Sequence, residues 1–290
     1  MPRLSARRAL AAGALAALAC GPAQSAERPS LAGARRWAVV YGSVLSQESL
    51  TSLDLAVLDP DSFSSFSSSL PLRVAYVSGG EADEQRAYWA EAKGKSFLVE
   101  DNPDWPGAHR ADLRSGAWRR IVLKNAGDAL ARGYHGLFID TLDTAEYLES
   151  KDAKRFAGSV AAARDLLGEL RSRWPKALLL VNNGFAVLET AWDLVDGVVV
   201  EDLYTRCPPK GGACSPTPAP DRDAKEAALR RFRGRSGKPV FVLLYSSLEE
   251  RDSAWIAAAV RRCLDRGFLP YLTDPSLRGL GRVAPADAPR

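Results

Sequence analysis

The feature that most constrains this chain is an apolar run that stops at a carboxylate. In Gly136-Leu137-Phe138-Ile139-Asp140-Thr141-Leu142-Asp143, residues suited to a buried strand lead directly into Asp140, and a polar loop with a second acid follows. A short, continuous apolar run reads as a parallel strand covered on both faces. Asp140 does not belong to such a core, because a carboxylate removed from water without partners is costly. The same shape recurs in Val198-Val199-Val200-Glu201-Asp202 and in Leu55-Ala56-Val57-Leu58-Asp59. Strands of this kind imply one acidic pocket, built where their ends converge.

Taken in order, the sequence predicts eight strands. They are Trp37 to Gly42, Leu53 to Leu58, Leu72 to Val77, Gly136 to Asp140, Ala177 to Val181, Gly197 to Val200, Pro239 to Leu244 and Leu269 to Leu272. Helical patterns fall mostly between them: Asp83 to Ala92, Ser115 to Arg132, Asp152 to Arg173, Ala186 to Leu194, Ala224 to Phe232 and Ser253 to Arg266. Residues 97–107, with Pro103, Pro106 and Gly107 around Trp105, read as irregular. This alternation, with no internal linker, is that of a single α/β domain folded as a (β/α)8 TIM barrel over residues 27–290. A doubly wound sheet is the alternative.

Residues 1–26 have a cationic start, an apolar run from Ala9 to Ala19 and small residues before Ala26, the pattern of a cleaved signal peptide. A lipoprotein cysteine at Cys20 and a twin-arginine signal at Arg7-Arg8 are weaker readings of the same leader. The chain's formal charge is +4; Arg3, Arg7 and Arg8 lie in this acid-free leader, so +1 remains beyond it. No basic stripe suits nucleic acid. Export places Cys207 and Cys214, which bracket a Pro/Gly-rich loop, where they could form a disulfide; Cys263 reads as a buried thiol on a helix. With only His109 and His135 present, a multi-histidine metal centre is not expected, nor is an organic cofactor. The expected product is a secreted or periplasmic monomer without a transmembrane segment.

In a (β/α)8 barrel the active site lies at the C-terminal strand ends. The residues expected there are Tyr41, Asp59, Ser78, Glu81, Asp140, Asn183, Glu201, Tyr245 and Asp274. Carboxylates, hydroxyls and an amide, with no histidine base and no phosphate loop, suit glycoside hydrolysis, in which one carboxyl protonates the leaving oxygen and another acts as nucleophile or base. Plainer readings exist for most of them. Asp59 could cap a helix or pair with an arginine, Asp143 could be a solvated loop acid, Asp202 could cap a turn, and Glu81 could open a helix. Trp105 could plug a loop or present its ring to a sugar. Asn183 and Tyr245 could satisfy backbone groups. Asp140 and Glu201, which end very apolar strands, are the strongest catalytic candidates.

Asn102-Pro103-Asp104-Trp105-Pro106-Gly107, followed by Ala111-Asp112-Leu113-Arg114 and Trp118, resembles the corresponding stretch of the endo-α-1,4-polygalactosaminidases of glycoside hydrolase family 114. Phe138 to Asp143 is similar to the fourth strand of that family and of the Pel-polysaccharide hydrolase domains. Val200-Glu201-Asp202-Leu203-Tyr204 is similar to its sixth-strand motif, with Asp202 and Tyr204 as departures that bear on substrate preference. The resemblance implies cleavage of α-1,4 linkages in a galactosamine-rich exopolysaccharide, with Asp140 as nucleophile and Glu201 as acid/base. Tyr41, Asp59, Glu81, Asn183, Tyr245 and Asp274 are the expected sugar contacts. A carboxyl separation of about 5 Å would indicate retention, and a wider one inversion. A non-catalytic carbohydrate-binding barrel and a hydrolase for another glycan, such as peptidoglycan, are the rival expectations.

Overall fold

The computed structural model describes residues 27–283 apart from 43–45, 64, 67–70, 210 and 248. The expected signal peptide and Cys20 lie outside the described residues. Eight parallel strands follow one another around a barrel: β1 (Trp37–Val40), β2 (Leu55–Leu58), β3 (Leu72–Ser78), β4 (Gly136–Asp140), β5 (Leu178–Asn182), β6 (Gly197–Val200), β7 (Val240–Tyr245) and β8 (Leu269–Thr273). Each pairs with the next in sequence, and Arg282–Val283 adds an antiparallel strand to β8. The order never reverses, which sets aside a doubly wound sheet. Between β1 and β8 the ladder is replaced by two ties. The Trp37 indole donates to the Leu269 carbonyl at 3.0 Å, and the Tyr41 N–H donates to the Leu277 carbonyl at 2.8 Å.

The strands are apolar because both faces are covered. Outside lie α3 (Gly116–Ala131), α4 (Asp143–Lys151), α5 (Ser159–Arg173), α6 (Phe185–Ala191), α7 (Ala219–Ser236) and α8 (Ala254–Asp265), preceded in the chain by the four-residue helices α1 (Gln47–Leu50) and α2 (Trp89–Ala92). Inside, the fully buried Trp37 packs its ring 5.1 Å from Phe241 and 5.5 Å from Tyr271, filling the N-terminal end of the barrel. The parallel register fixes which residues share this interior. Phe138 pairs with Leu180 and Tyr76 with Phe138, so the inward series on β4 continues to Asp140 and that on β5 to Asn182.

Three expectations are corrected. The helix expected over 83–92 is a strand, Glu81–Asp83, followed by a turn capped by Asp83 and by the short α2. The stretch expected to be irregular contains the strand Leu98–Asp101 and leads into Ala108–Ala111, and the two complete a three-stranded antiparallel sheet with Glu81–Asp83. The Pro/Gly-rich motif is its hairpin turn, with Gly107 at φ +89°. Local propensity missed this sheet because its strands are held by each other and by side chains far off in sequence. Finally, the helix expected over 152–173 begins at Ser159, after Gly158 at φ +84°, and a separate α4 precedes it. The acid-rich sequence of α4 buries only Thr144, Ala145 and Leu148, too weak a stripe to announce a helix.

The loop after β6 holds a small hairpin, Thr205–Arg206 against Ser215–Pro216, closed by the Cys207–Cys214 disulfide. Cys263 is a buried free thiol on α8, as its sequence suggested. Among the described residues, no helix is long and apolar enough to cross a membrane.

Candidate active site

The strand tips of β4, β5 and β6 are followed by non-glycine residues in the left-handed region: Thr141 (φ 61°), Asn183 (φ 47°) and Asp202 (φ 53°). This conformation costs about 1–3 kcal/mol per residue and persists only where its surroundings enforce it. At Thr141 the enforcement is visible. Its hydroxyl accepts from the Gly80 N–H at 2.8 Å and meets Ser78 Oγ at 2.9 Å, while its own N–H donates to Asp140 Oδ1 at 2.8 Å. A Cβ at Gly80 would stand 2.2 Å from the Thr141 carbonyl oxygen, so the close approach of the β3 and β4 tips requires glycine there.

The acid at each tip converges on one amide. Asn182 Nδ2 donates to Asp140 Oδ1 at 2.8 Å and to Glu201 Oε1 at 2.7 Å. Those oxygens therefore lie no farther apart than the two bonds laid end to end, 5.5 Å. Tyr245 Oη donates to the other oxygen of Glu201 at 3.1 Å. The Glu201 N–H donates to Asn183 Oδ1 at 3.3 Å, and Lys225 Nζ donates to the carbonyls of Glu201 and Asp202 at 3.0 and 3.2 Å, fixing the β6 tip from below.

Protein surrounds both acids closely, yet each keeps part of its surface open. Burial raises the Asp140 carboxyl above the ordinary range, opposed by donors from Asn182, the Thr141 N–H and the Tyr76 hydroxyl. Burial, reinforced by the negative charges of Asp140 and Asp202, pushes Glu201 up to about 8 against the pull of Asn182 and Tyr245. More donors converge on Asp140, which favours it as the ionised member and leaves Glu201 as the proton holder near neutrality. Tyr41, Tyr76 and Tyr245 are held neutral, chiefly by burial and then by these carboxylates, so each is a hydrogen-bond donor at any ordinary pH.

The other expected contacts are placed differently. Asp59 receives Arg86 Nη1 at 2.6 Å; the guanidinium lies 5.2 Å from the centre of the Tyr76 ring and so backs the residue that faces Asp140. Glu81, 8% exposed, accepts from Asn102 Nδ2 at 3.0 and 3.1 Å and from Thr144 Oγ1 at 3.1 Å. It anchors the inserted sheet to α4 instead of opening a helix. Asp274 Oδ1 accepts from the Ser276 N–H and hydroxyl and turns into its own loop. Asn183 is out of phase with the interior by one residue; the amide that enters the site is Asn182, 5% exposed.

Sequence reasoning passed over Asn182, Tyr76, Arg86 and Lys225. Counting inward residues by twos from Asp140 through the parallel register would have found Asn182 and Tyr76; nothing local marked Arg86 or Lys225. Asp143, expected in a loop, is the first residue of α4. It keeps surface open to solvent, yet the protein packed around it and then the charges of Asp140, Glu146 and Glu81 push its carboxyl up to about 7.

Known proteins share this fold. The glycoside hydrolase domain of PelA from Pseudomonas aeruginosa superposes with a TM-score of 0.77 at 26% identity, covering 87% of this chain and 99% of that one. Ega3 of Aspergillus fumigatus, solved with galactosamine, has the same fold, with a TM-score of 0.68 at 16% identity over 89% of this chain and 97% of that one. A Deinococcus radiodurans protein is 25% identical over 271 residues, 87% of this chain and 84% of its own length. Residues 17–288 match the family model of glycoside hydrolase family GH114. With that match spanning nearly all of its length, this chain belongs to glycoside hydrolase family 114.

Proposed function

We propose that this glycoside hydrolase is exported and cuts α-1,4 linkages within a galactosamine-rich polysaccharide with retention of configuration, Asp140 serving as nucleophile and Glu201 as acid/base. The observation that carries the reading is the single Asn182 nitrogen donating to both carboxylates. A gap bounded by 5.5 Å between those oxygens suits retention, for which carboxyl groups stand about 5–5.5 Å apart; inversion needs about 6.5–9.5 Å. In the first step Glu201 gives its proton to the departing glycosidic oxygen while Asp140 attacks the anomeric carbon, forming a glycosyl ester. In the second, Glu201, now a carboxylate, takes a proton from water, whose oxygen displaces Asp140 and restores both groups. Asn182 holds the pair at this spacing throughout.

Family membership and an acid-rich mouth favour a cationic amino sugar. The Cys207–Cys214 disulfide favours an oxidising compartment and hence export. The test is reducing-end release from partly de-N-acetylated α-1,4-galactosaminogalactan, with the product anomer followed by proton NMR before mutarotation. Release of the α-anomer by the wild type, abolished in folded Asp140→Asn and Glu201→Gln variants, supports the reading. An initial β-anomer would overturn retention, and binding without release would leave a carbohydrate-binding barrel.

A further inference from the structure

The acids around the mouth differ in what they already hold. Asp59 is paired with Arg86, Glu81 with Asn102 and Thr144, and Asp274 with Ser276. Glu146 accepts from the N–H groups of Ala186 and Val187 at the start of α6. Asp202 faces the charges of Lys225 and Arg206. Asp143 has no such partner: among the described residues no side chain donates to it, only its own N–H supports it, and it is solvent-open three residues beyond Asp140. Lys225, the cation whose charge it feels, is engaged with the carbonyls of Glu201 and Asp202.

Tyr147 follows Asp143 by four residues on α4, so the two side chains share a face of the helix, about 6 Å apart along its axis. It is one of two large apolar side chains that stay exposed among the described residues, at 38%. Its ring does not move freely. The Arg110 guanidinium lies 4.0 Å from the ring centre and Lys151 Nζ 5.4 Å from it, and the hydroxyl is held by Glu100 and Lys151. A rigid ring with open surface beside a carboxylate without a partner matches the two halves of a protonated amino sugar, its apolar face and its ammonium.

We propose that Asp143 and Tyr147 form a subsite for a second amino-sugar residue of the chain, next to the one bound across Asp140 and Glu201, in which Asp143 takes the ammonium group and Tyr147 the apolar ring face. The proposal rests on the hydrolase reading above and adds to it a basis for choosing free amines over N-acetylated residues. The Asp143 carboxylate would gain an ion pair with the ammonium, which a neutral acetamide cannot supply.

Two readings separate this proposal from the hydrolase reading. Turnover of de-N-acetylated and fully N-acetylated α-1,4-galactosamine oligosaccharides is compared for wild type, Asp143→Asn, Tyr147→Ala and Tyr147→Phe. Binding of both oligosaccharides to Glu201→Gln, with and without Asp143→Asn, is measured by calorimetry. Asp143→Asn should raise KM for the free-amine oligosaccharide about tenfold or more, as expected for loss of a charged hydrogen bond, and leave KM for the acetylated one unchanged. Tyr147→Ala should weaken both, and Tyr147→Phe neither. Equal losses on the two oligosaccharides, or unchanged selectivity in Asp143→Asn, would overturn the subsite while turnover kept the hydrolase standing. Amine-selective binding that depends on Asp143, without turnover in the wild type, would keep the subsite and overturn the hydrolase.

Discussion

Tyr245 and Glu201 meet at the tips of the neighbouring strands β7 and β6, the phenol donating to Oε2 at 3.1 Å. The bond favours the ionised carboxylate, so Tyr245 counters the burial that lifts Glu201 to about 8. As the acid, Glu201 must enter the first step protonated, and activity should fall as pH rises through that value. Tyr245→Phe removes a donor to the charged form and should move the alkaline limb of kcat upward, by up to about one pH unit. A limb that stays put or moves down would show that another group sets it. The measurement is a pH–rate profile of both proteins on one oligosaccharide.

Glu201 should also weaken the fold it serves. Its carboxyl titrates near 8 when folded against an ordinary 4.5, so the native state keeps a proton that the unfolded chain has released. Its contribution to stability is therefore lost as pH rises between those values. Glu201→Gln, which stays neutral, should be more stable than wild type at pH 8, by up to about 4 kcal/mol, and the difference should close toward pH 4. Thermal melts at the two pH values decide it.

Asn182→Ala should lower kcat by on the order of 100-fold, because the amide that spaces the two carboxylates is gone. Asn183→Gly, which keeps the left-handed backbone at φ 47°, removes only an acceptor for the Glu201 N–H and should cost much less. Equal losses in the two variants would contradict the assigned phase of β5. Circular dichroism would confirm that both remain folded.

Gly80→Ala should destabilise by about 2 kcal/mol or more, since the new methyl would overlap the Thr141 carbonyl at 2.2 Å and the Thr144 Cβ at 2.8 Å. Relief requires the β3 and β4 tips to separate, which carries Asp140 with it, so activity should fall as well. Denaturant melts and turnover read the two effects. Gly168→Ala, on α5 with open space around its Cβ position, is the control that should leave both near wild type.

The barrel was legible because parallel strands covered on both faces must be apolar, and Val198-Val199-Val200 or Leu178-Leu179-Leu180 has few other uses. Acids at the ends of such runs stood out for the same reason, and Asp140 and Glu201 are the pair the structure brings together. The inserted sheet was not legible. Its strands, Leu98-Val99-Glu100-Asp101 among them, are short and only partly apolar, and take their stability from Glu81, Asn102 and Arg110, which meet only after folding.

The sequence by itself thus determined where strands run and which of them end in a carboxylate, since both follow from burial along a few consecutive residues. Which side chain enters the site was decided by tertiary structure. Asn182 and Asn183 are chemically identical neighbours, and only the register of β5 against β4 and β6 turns the first inward and leaves the second to the Glu201 N–H. The fates of the other acids, Asp59 with Arg86 and Asp143 without a side-chain donor among the described residues, depend likewise on long-range packing, which brings charges together from elements that local pattern cannot connect.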